Sequence, residues 1–200
     1  MTHIKTGIDQ PGILELLFYK GPTGKALSSL AHTLLHGPSP MSKGDRELIA
    51  SYVSSLNNCS FCHDSHRASA NEHFGDKGNK VDAVKIDLDS APVSDKMKAL
   101  LKIAAMVQQG GKSVTTEHVD KAKKLGASDE EIHDTVLIAA AFCMYNRYVD
   151  GMGTNVPADK TDYLDMGKMM AYKGYKYPPL FLRKFVIKMM ERKKKKVSNA

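Results

Sequence analysis

An all-α fold is what the sequence predicts, on three observations. Apolar residues recur with a helical period nearly throughout, capping residues alternate with glycine stops, and the apolar alternation that marks strands never appears. In "ELIASYVSSL", Leu48, Ile49, Tyr52, Val53 and Leu56 share one stripe, so a helix should run up to Asn57 and Asn58. Asn is a favoured N-cap, and a second helix is expected from about Cys59 to near Gly75. "SDKMKALLKIAAMVQQGG" reads as a helix closed by paired glycines, and "TTEHVDKAKKLG" as one closed by Gly126. Ser128 and Glu131 stand in capping-box spacing at the head of "SDEEIHDTVLIAAAFCMYNRYVDG", which runs to Gly151. Between these, "GDKGNKVDAVKIDLDSAP" is expected to be a connecting loop and "YKGYKYPP" a second irregular stretch. The expected organisation is one helical domain over residues 1–178, followed by a basic C-terminal helix and tail over 179–200.

The chain has 200 residues, 42% hydrophobic and 26% charged, which suits one globular domain and excludes a largely disordered chain. Its net charge of +7 is local: residues 183–196 hold eight Lys or Arg against Glu191, so the remainder is neutral. A duplex-binding protein spreads its basic residues over a docking face, so nucleic acid is not an expected partner. The tail mixes Leu180, Phe181, Phe185, Ile187 and Met189 with its cations. Docking on a sister subunit, followed by a disordered lysine run, is the expected use; contact with an anionic membrane surface is the less favoured one. The N-terminal apolar run is short and broken by Glu15, which predicts no leader, no membrane span and a cytoplasmic location.

Chemistry concentrates in "NNCSFCHDSH". Cys59-Ser60-Phe61-Cys62-His63 spells a c-type haem attachment site, Cys59 and Cys62 with a histidine make half a zinc site, and the two thiols alone make a redox pair. Haem attachment follows export, for which no leader is seen. A closed zinc site needs four ligands, and the chain has no second Cys-x-x-Cys. Buried, inert thiols remain the plain alternative.

For a redox pair a thiolate is required. A helix N-terminus contributes about 0.3 to 1 kcal/mol, less than one pKa unit at about 1.36 kcal/mol per unit, so a base must do the rest. His66 follows Cys62 by four residues and Cys59 by seven, putting all three on one helix face, whereas His63 is turned away as a solvated or packing residue. If the two helices fold back at Asn57, Glu47 lies about 15 Å from the turn on one arm and His66 about 13.5 Å on the other. Glu47 would then orient the imidazole that takes a proton from Cys62. Cys143 falls on an apolar stripe and is expected to be core; His73, His118 and His133 read as surface residues, and Gly151-Met152-Gly153 as a turn.

The pattern Glu47-x11-Cys59-x2-Cys62-x3-His66 resembles the active-site pattern of alkylhydroperoxidase D, within the carboxymuconolactone decarboxylase-like superfamily, and "FCMYNRYVDGMGT" resembles a stretch common in its peroxidase-related members. The resemblance spans about residues 40–155. It implies an AhpD-like all-helical subunit, with the CxxC at the N-terminus of a helix in an antiparallel pair, assembling as trimers or hexamers without haem, metal or other cofactor. It also implies a peroxide substrate and an external dithiol or protein reductant. By position Cys62 would be peroxidatic, Cys59 would donate a proton and resolve the sulfenic acid as a disulfide, and Glu47 with His66 would form the proton relay. Some hydroperoxidases have a further histidine between the cysteines, where this chain has Phe61, so a full relay is not implied. Decarboxylase members typically lack the cysteine pair, which points away from lactone decarboxylation. The expected function is a thiol-dependent hydroperoxide reductase or disulfide oxidoreductase; a redox-sensing protein with a regulatory disulfide, or a metal site at the CxxC and histidine, are the alternatives.

Overall fold

Serine caps start three of the helices that the sequence predicts. Ser42 accepts a hydrogen bond from the Asp45 amide at 3.1 Å and Ser94 from that of Met97 at 3.2 Å, while Ser128 and Glu131 cap each other's backbone reciprocally. Each cap is worth about 1 kcal/mol. The computed structural model describes residues 2–75, 79–157 and 159–198, with side chains described up to Met190. In chain order the helices are α1 (Ile13–Tyr19), α2 (Gly21–His36), α3 (Lys43–Leu56), α4 (Ser60–Phe74), α5 (Asn79–Ile86), α6 (Asp95–Gln109), α7 (Thr116–Lys124), α8 (Asp129–Gly151), α9 (Asp162–Lys173) and α10 (Arg183–Ser198). Among the described residues no strand occurs, and no helix is long and apolar enough to cross a membrane.

Helices α3, α6 and α8 meet in the core, where Leu48, Ile49, Val53, Leu101, Ile103 and Ile138 are at 0% exposure. Full burial of such a side chain is worth about 1.5 to 3 kcal/mol, so this layer is the main stabiliser. Leu56, at the end of the predicted stripe, is 36% exposed. On the other side of α4 lies α9, brought close by Gly167: a Cβ there would stand 2.5 Å from the Ala68 Cβ.

Three expectations need correction. The segment expected as a loop after Gly75 contains α5, which buries Val81 and Val84 on one face while Arg67 of α4 donates from Nε and Nη2 to the two carboxylate oxygens of Asp82 at 2.5 Å. Two buried residues in so short a helix leave little periodicity to read. Neither Asn57 nor Asn58 caps α4. The two-residue reversal needs a left-handed residue, Asn58 supplies it at φ 58°, and Cys59 becomes the N-cap. Asn57 instead donates to Asn146 at 2.8 Å and accepts from Gln108 at 2.9 Å, tying the turn to α8 and α6. Finally, the backbone of α10 stays helical to Ser198, where a disordered run was expected; the side chains of Lys193 to Lys196 lie outside the described residues.

Candidate functional site

The tight turn makes α3 and α4 antiparallel neighbours, so residues equally far from it face each other. Glu47 Oε2 lies 2.7 Å from His66 Nδ1. Glu47 is at 0% exposure and His66 at 9%. In the neutral tautomer that donates from Nδ1 to this carboxylate, Nε2 keeps the lone pair a base needs. Tyr175, between α9 and α10, donates its hydroxyl to Glu47 Oε1 at 2.6 Å, and its ring stacks on the imidazole with centroids 5.8 Å apart. Burial and the adjacent carboxylate push the phenol pKa well above its usual value. Phe142 meets the same imidazole edge-on at 4.6 Å. His66 is thus fixed on three sides.

Cys59 and Cys62 are both reduced and buried. A hydrogen bond with Cys62 and desolvation hold the Cys59 thiol far above the ordinary range, so it keeps its proton. Cys62 and His66, one helical turn apart, line a cavity of about 600 Å³ that Cys59 does not line. The walls are almost wholly apolar: Ile13, Leu17, Phe61, Phe142 and Met166 form its floor and sides, and α10 lays Val186, Met189 and Met190 along it. The tail was expected to seek cover on another subunit; part of its apolar face finds it here. Phe61, between the two cysteines in sequence, serves as cavity wall.

His63 is the packing residue of its two expected roles. It is 4% exposed and its Nδ1 bonds the Ser51 carbonyl at 3.1 Å; burial lowers its pKa below 6.5. Cys143 is buried and accepts from Asn57 at 3.7 Å. His133 is exposed, as expected, whereas His118 is half-buried and accepts from the Thr115 amide at 3.2 Å, capping α7. His73 is not exposed. The end of α4 packs so closely on α3 that a Cβ at Gly44 would stand 3.2 Å from the His73 Cβ, and the His73 Nε2 is buried without a hydrogen-bond partner. There it meets His36, whose Nε2 is likewise buried and unpartnered, with ring centroids 6.0 Å apart. Burial lowers the His36 pKa to about 4. The ligand atoms of His36, His73 and Glu47 all lie within 4.8 Å of one another.

Sequence reasoning missed Tyr175, His36 and His73. The spacing His32-x3-His36 was the legible sign of the last group, since i and i+4 share a helix face and these rings stack at 5.5 Å. Nothing local marks Tyr175, which meets Glu47 across 128 positions.

The helical arrangement matches solved structures over most of its length. An uncharacterised peroxidase-related protein from Silicibacter sp. TM1040 superposes with a TM-score of 0.70 at 23% identity, over 77% of this chain and 78% of its own. A second, from Ralstonia eutropha JMP134 and described as an alkylhydroperoxidase AhpD core, gives 0.70 at 23% over 79% and 81%. A protein of unknown function from Agrobacterium tumefaciens gives 0.65 at 19% over 80% of this chain and 100% of its own. The carboxymuconolactone decarboxylase family model matches residues 85–153.

The fold is the all-α one of these AhpD-like, peroxidase-related structures.

No curated protein matches. The segment matched by the family model runs from the end of α5 through α8 and supplies Phe142, whereas Glu47, Cys59, Cys62 and His66 lie before it.

Proposed function

We propose that this chain is a cofactor-independent thiol peroxidase acting on apolar hydroperoxides, regenerated by an external dithiol. The observation that carries the reading is the buried Glu47–His66 pair, 2.7 Å apart, with His66 and Cys62 on the wall of one apolar cavity. His66 Nε2 takes the Cys62 proton, and the thiolate attacks the terminal peroxide oxygen. The O–O bond breaks, Cys62 becomes a sulfenic acid, and the leaving alkoxide, a strong base, takes the proton of the Cys59 thiol and departs as the alcohol. Cys59, now a thiolate, attacks the Cys62 sulfur and closes a disulfide; the expelled hydroxide takes the proton that His66 holds and leaves as water. An external dithiol takes the two oxidising equivalents and restores both thiols.

A cavity of this size and apolarity suits an alkyl chain better than hydrogen peroxide. The reading also takes the protein to be a cytoplasmic homo-oligomer, trimer or hexamer, in which Phe181 at 84% and Phe185 at 66% exposure find cover. Peroxide consumption with excess dithiothreitol tests it, comparing cumene hydroperoxide with hydrogen peroxide. Turnover with a higher kcat/KM for the alkyl peroxide is expected. Oxidation to the disulfide without turnover would mean a regulatory disulfide instead, and no thiol oxidation by either peroxide would end the proposal.

A further inference from the structure

Glu47 has a second neighbourhood that the thiol chemistry does not use. On the side away from the cysteines, His36 and His73 converge on it, and the ligand atoms of the three residues lie within 4.8 Å of one another. Both imidazole Nε2 atoms are buried and without a partner. Leaving a buried polar atom unpaired costs about 1 to 3 kcal/mol, and here two such atoms stand together beside a fully buried carboxylate.

Their position in the fold favours a cation. His36 is the last residue of α2 and His73 the penultimate residue of α4, so two helix C-termini, each the negative end of its dipole, meet at one point. Lys43 and Arg46 lie close enough to act on this pair and oppose a cation, while Glu47 and Glu72 favour one. Arg46 is turned aside, its Nη1 donating to the carbonyls of Leu34 and Gly37 at 3.0 and 2.9 Å.

We propose that His36, His73 and Glu47 form a binding site for one divalent transition-metal ion of the zinc class. Two imidazoles and a carboxylate are a common zinc donor set, and three protein ligands leave a fourth position for water. Zinc–ligand bonds of about 2.0 to 2.2 Å put tetrahedral ligand atoms roughly 3.4 Å apart, so the widest present spacing, 4.8 Å, needs to close by about 1.4 Å. Glu47 would then serve two masters through different lone pairs, the ion on one side and His66 on the other. An ion there draws charge from the carboxylate that supports the imidazole.

Elemental analysis of the reduced protein, dialysed after exposure to zinc, tests the site without reference to peroxide turnover. Wild type and the Cys59→Ser/Cys62→Ser double variant should each retain an ion at this site, and His36→Gln/His73→Gln should lose it. If the wild type binds two ions, each double variant should keep one. Zinc lost with the cysteines but kept without the histidines, or bound by none of the three, would overturn the proposal. Far-UV circular dichroism and thiol counting check that the histidine variant folds; the single variant His73→Gln, titrated against a chelating dye, should bind at least tenfold more weakly, and unchanged affinity would equally refute the site.

Discussion

Helices α6 and α3–α4 are packed into the same molecule by opposite means. Helix α6 buries Met97, Ala99, Leu100, Leu101, Ile103, Ala104 and Val107, all apolar. The α3–α4 pair buries Arg46, Glu47, Ser51, Ser54, His63, Ser65, His66 and Ser69 among its apolar residues. Apolar burial stabilises outright, whereas each buried polar group gains little beyond offsetting its desolvation and does so only when paired. The pairings are therefore specific: Glu47 with His66 and Tyr175, Ser51 with His63, Ser54 with Asn146. The difference teaches where to look for chemistry, since a fold carries polar groups into its core where positioning them matters more than stability.

Substitutions in the two regions should separate these roles. Glu47→Gln keeps the shape of the side chain but removes the charge behind His66; peroxide reduction should fall by about 10² to 10⁴, measured in single turnover, with a stability loss of about 1 to 3 kcal/mol because Gln can accept from only one of His66 and Tyr175. Leu101→Ala, in α6, should cost about 2 to 5 kcal/mol in denaturant unfolding while the rate of Cys62 oxidation in the folded protein stays near wild type. Tyr175→Phe deletes one hydrogen bond to the carboxylate and should slow the same step by roughly ten- to a hundredfold, since such bonds are worth about 1.5 to 3 kcal/mol. A rate unchanged in Tyr175→Phe would reduce that residue to a packing role.

The comparison also has a pH form. His63 is held neutral by burial, with Asp64 opposing the shift and Lys85 and Arg67 adding to it. Its folded pKa lies below the unfolded 6.5, so on acidification through 6.5 the unfolded chain takes up the proton first and stability falls. Unfolding midpoints between pH 7.5 and about 5 should show this slope, and His63→Gln should reduce it without abolishing it, since burial also lowers His36 and His73. The smallest effect is expected at Lys102, whose exposed pair with Asp89 at 2.5 Å should contribute about 0 to 1 kcal/mol; Lys102→Ala should leave both rate and stability almost untouched.

Which parts were legible in the sequence follows from the same physics. Helices α3, α6 and α8 are long, periodic and capped, so local pattern sufficed to read them; α4 was read from the turn before it and the Gly75 stop, although the expected Asn cap is not made. The meeting of Glu47 and His66 was also readable, because a helical hairpin with a short turn makes sequence distance into spatial distance. Tyr175 was not, because it arrives from an irregular segment after α9 and its place is set by tertiary packing alone. Helix α5 was hidden by its shortness. His73 was misjudged because polar neighbours suggested an exposed face, whereas the close approach permitted by Gly44 buries its far nitrogen. The cover that α10 gives the cavity was invisible for a similar reason, since an amphipathic tail does not say which surface it will find.

Mild oxidation should join Cys59 to Cys62 and leave Cys143 free, which peptide mass mapping reads directly. The most direct test of the account is to trap the sulfenic acid with dimedone after one equivalent of alkyl hydroperoxide, in Cys59→Ser and Cys62→Ser compared side by side. The account predicts a dimedone adduct on Cys62 in the first and no reaction in the second. Equal reactivity of the two variants, or an adduct on Cys59, would contradict it.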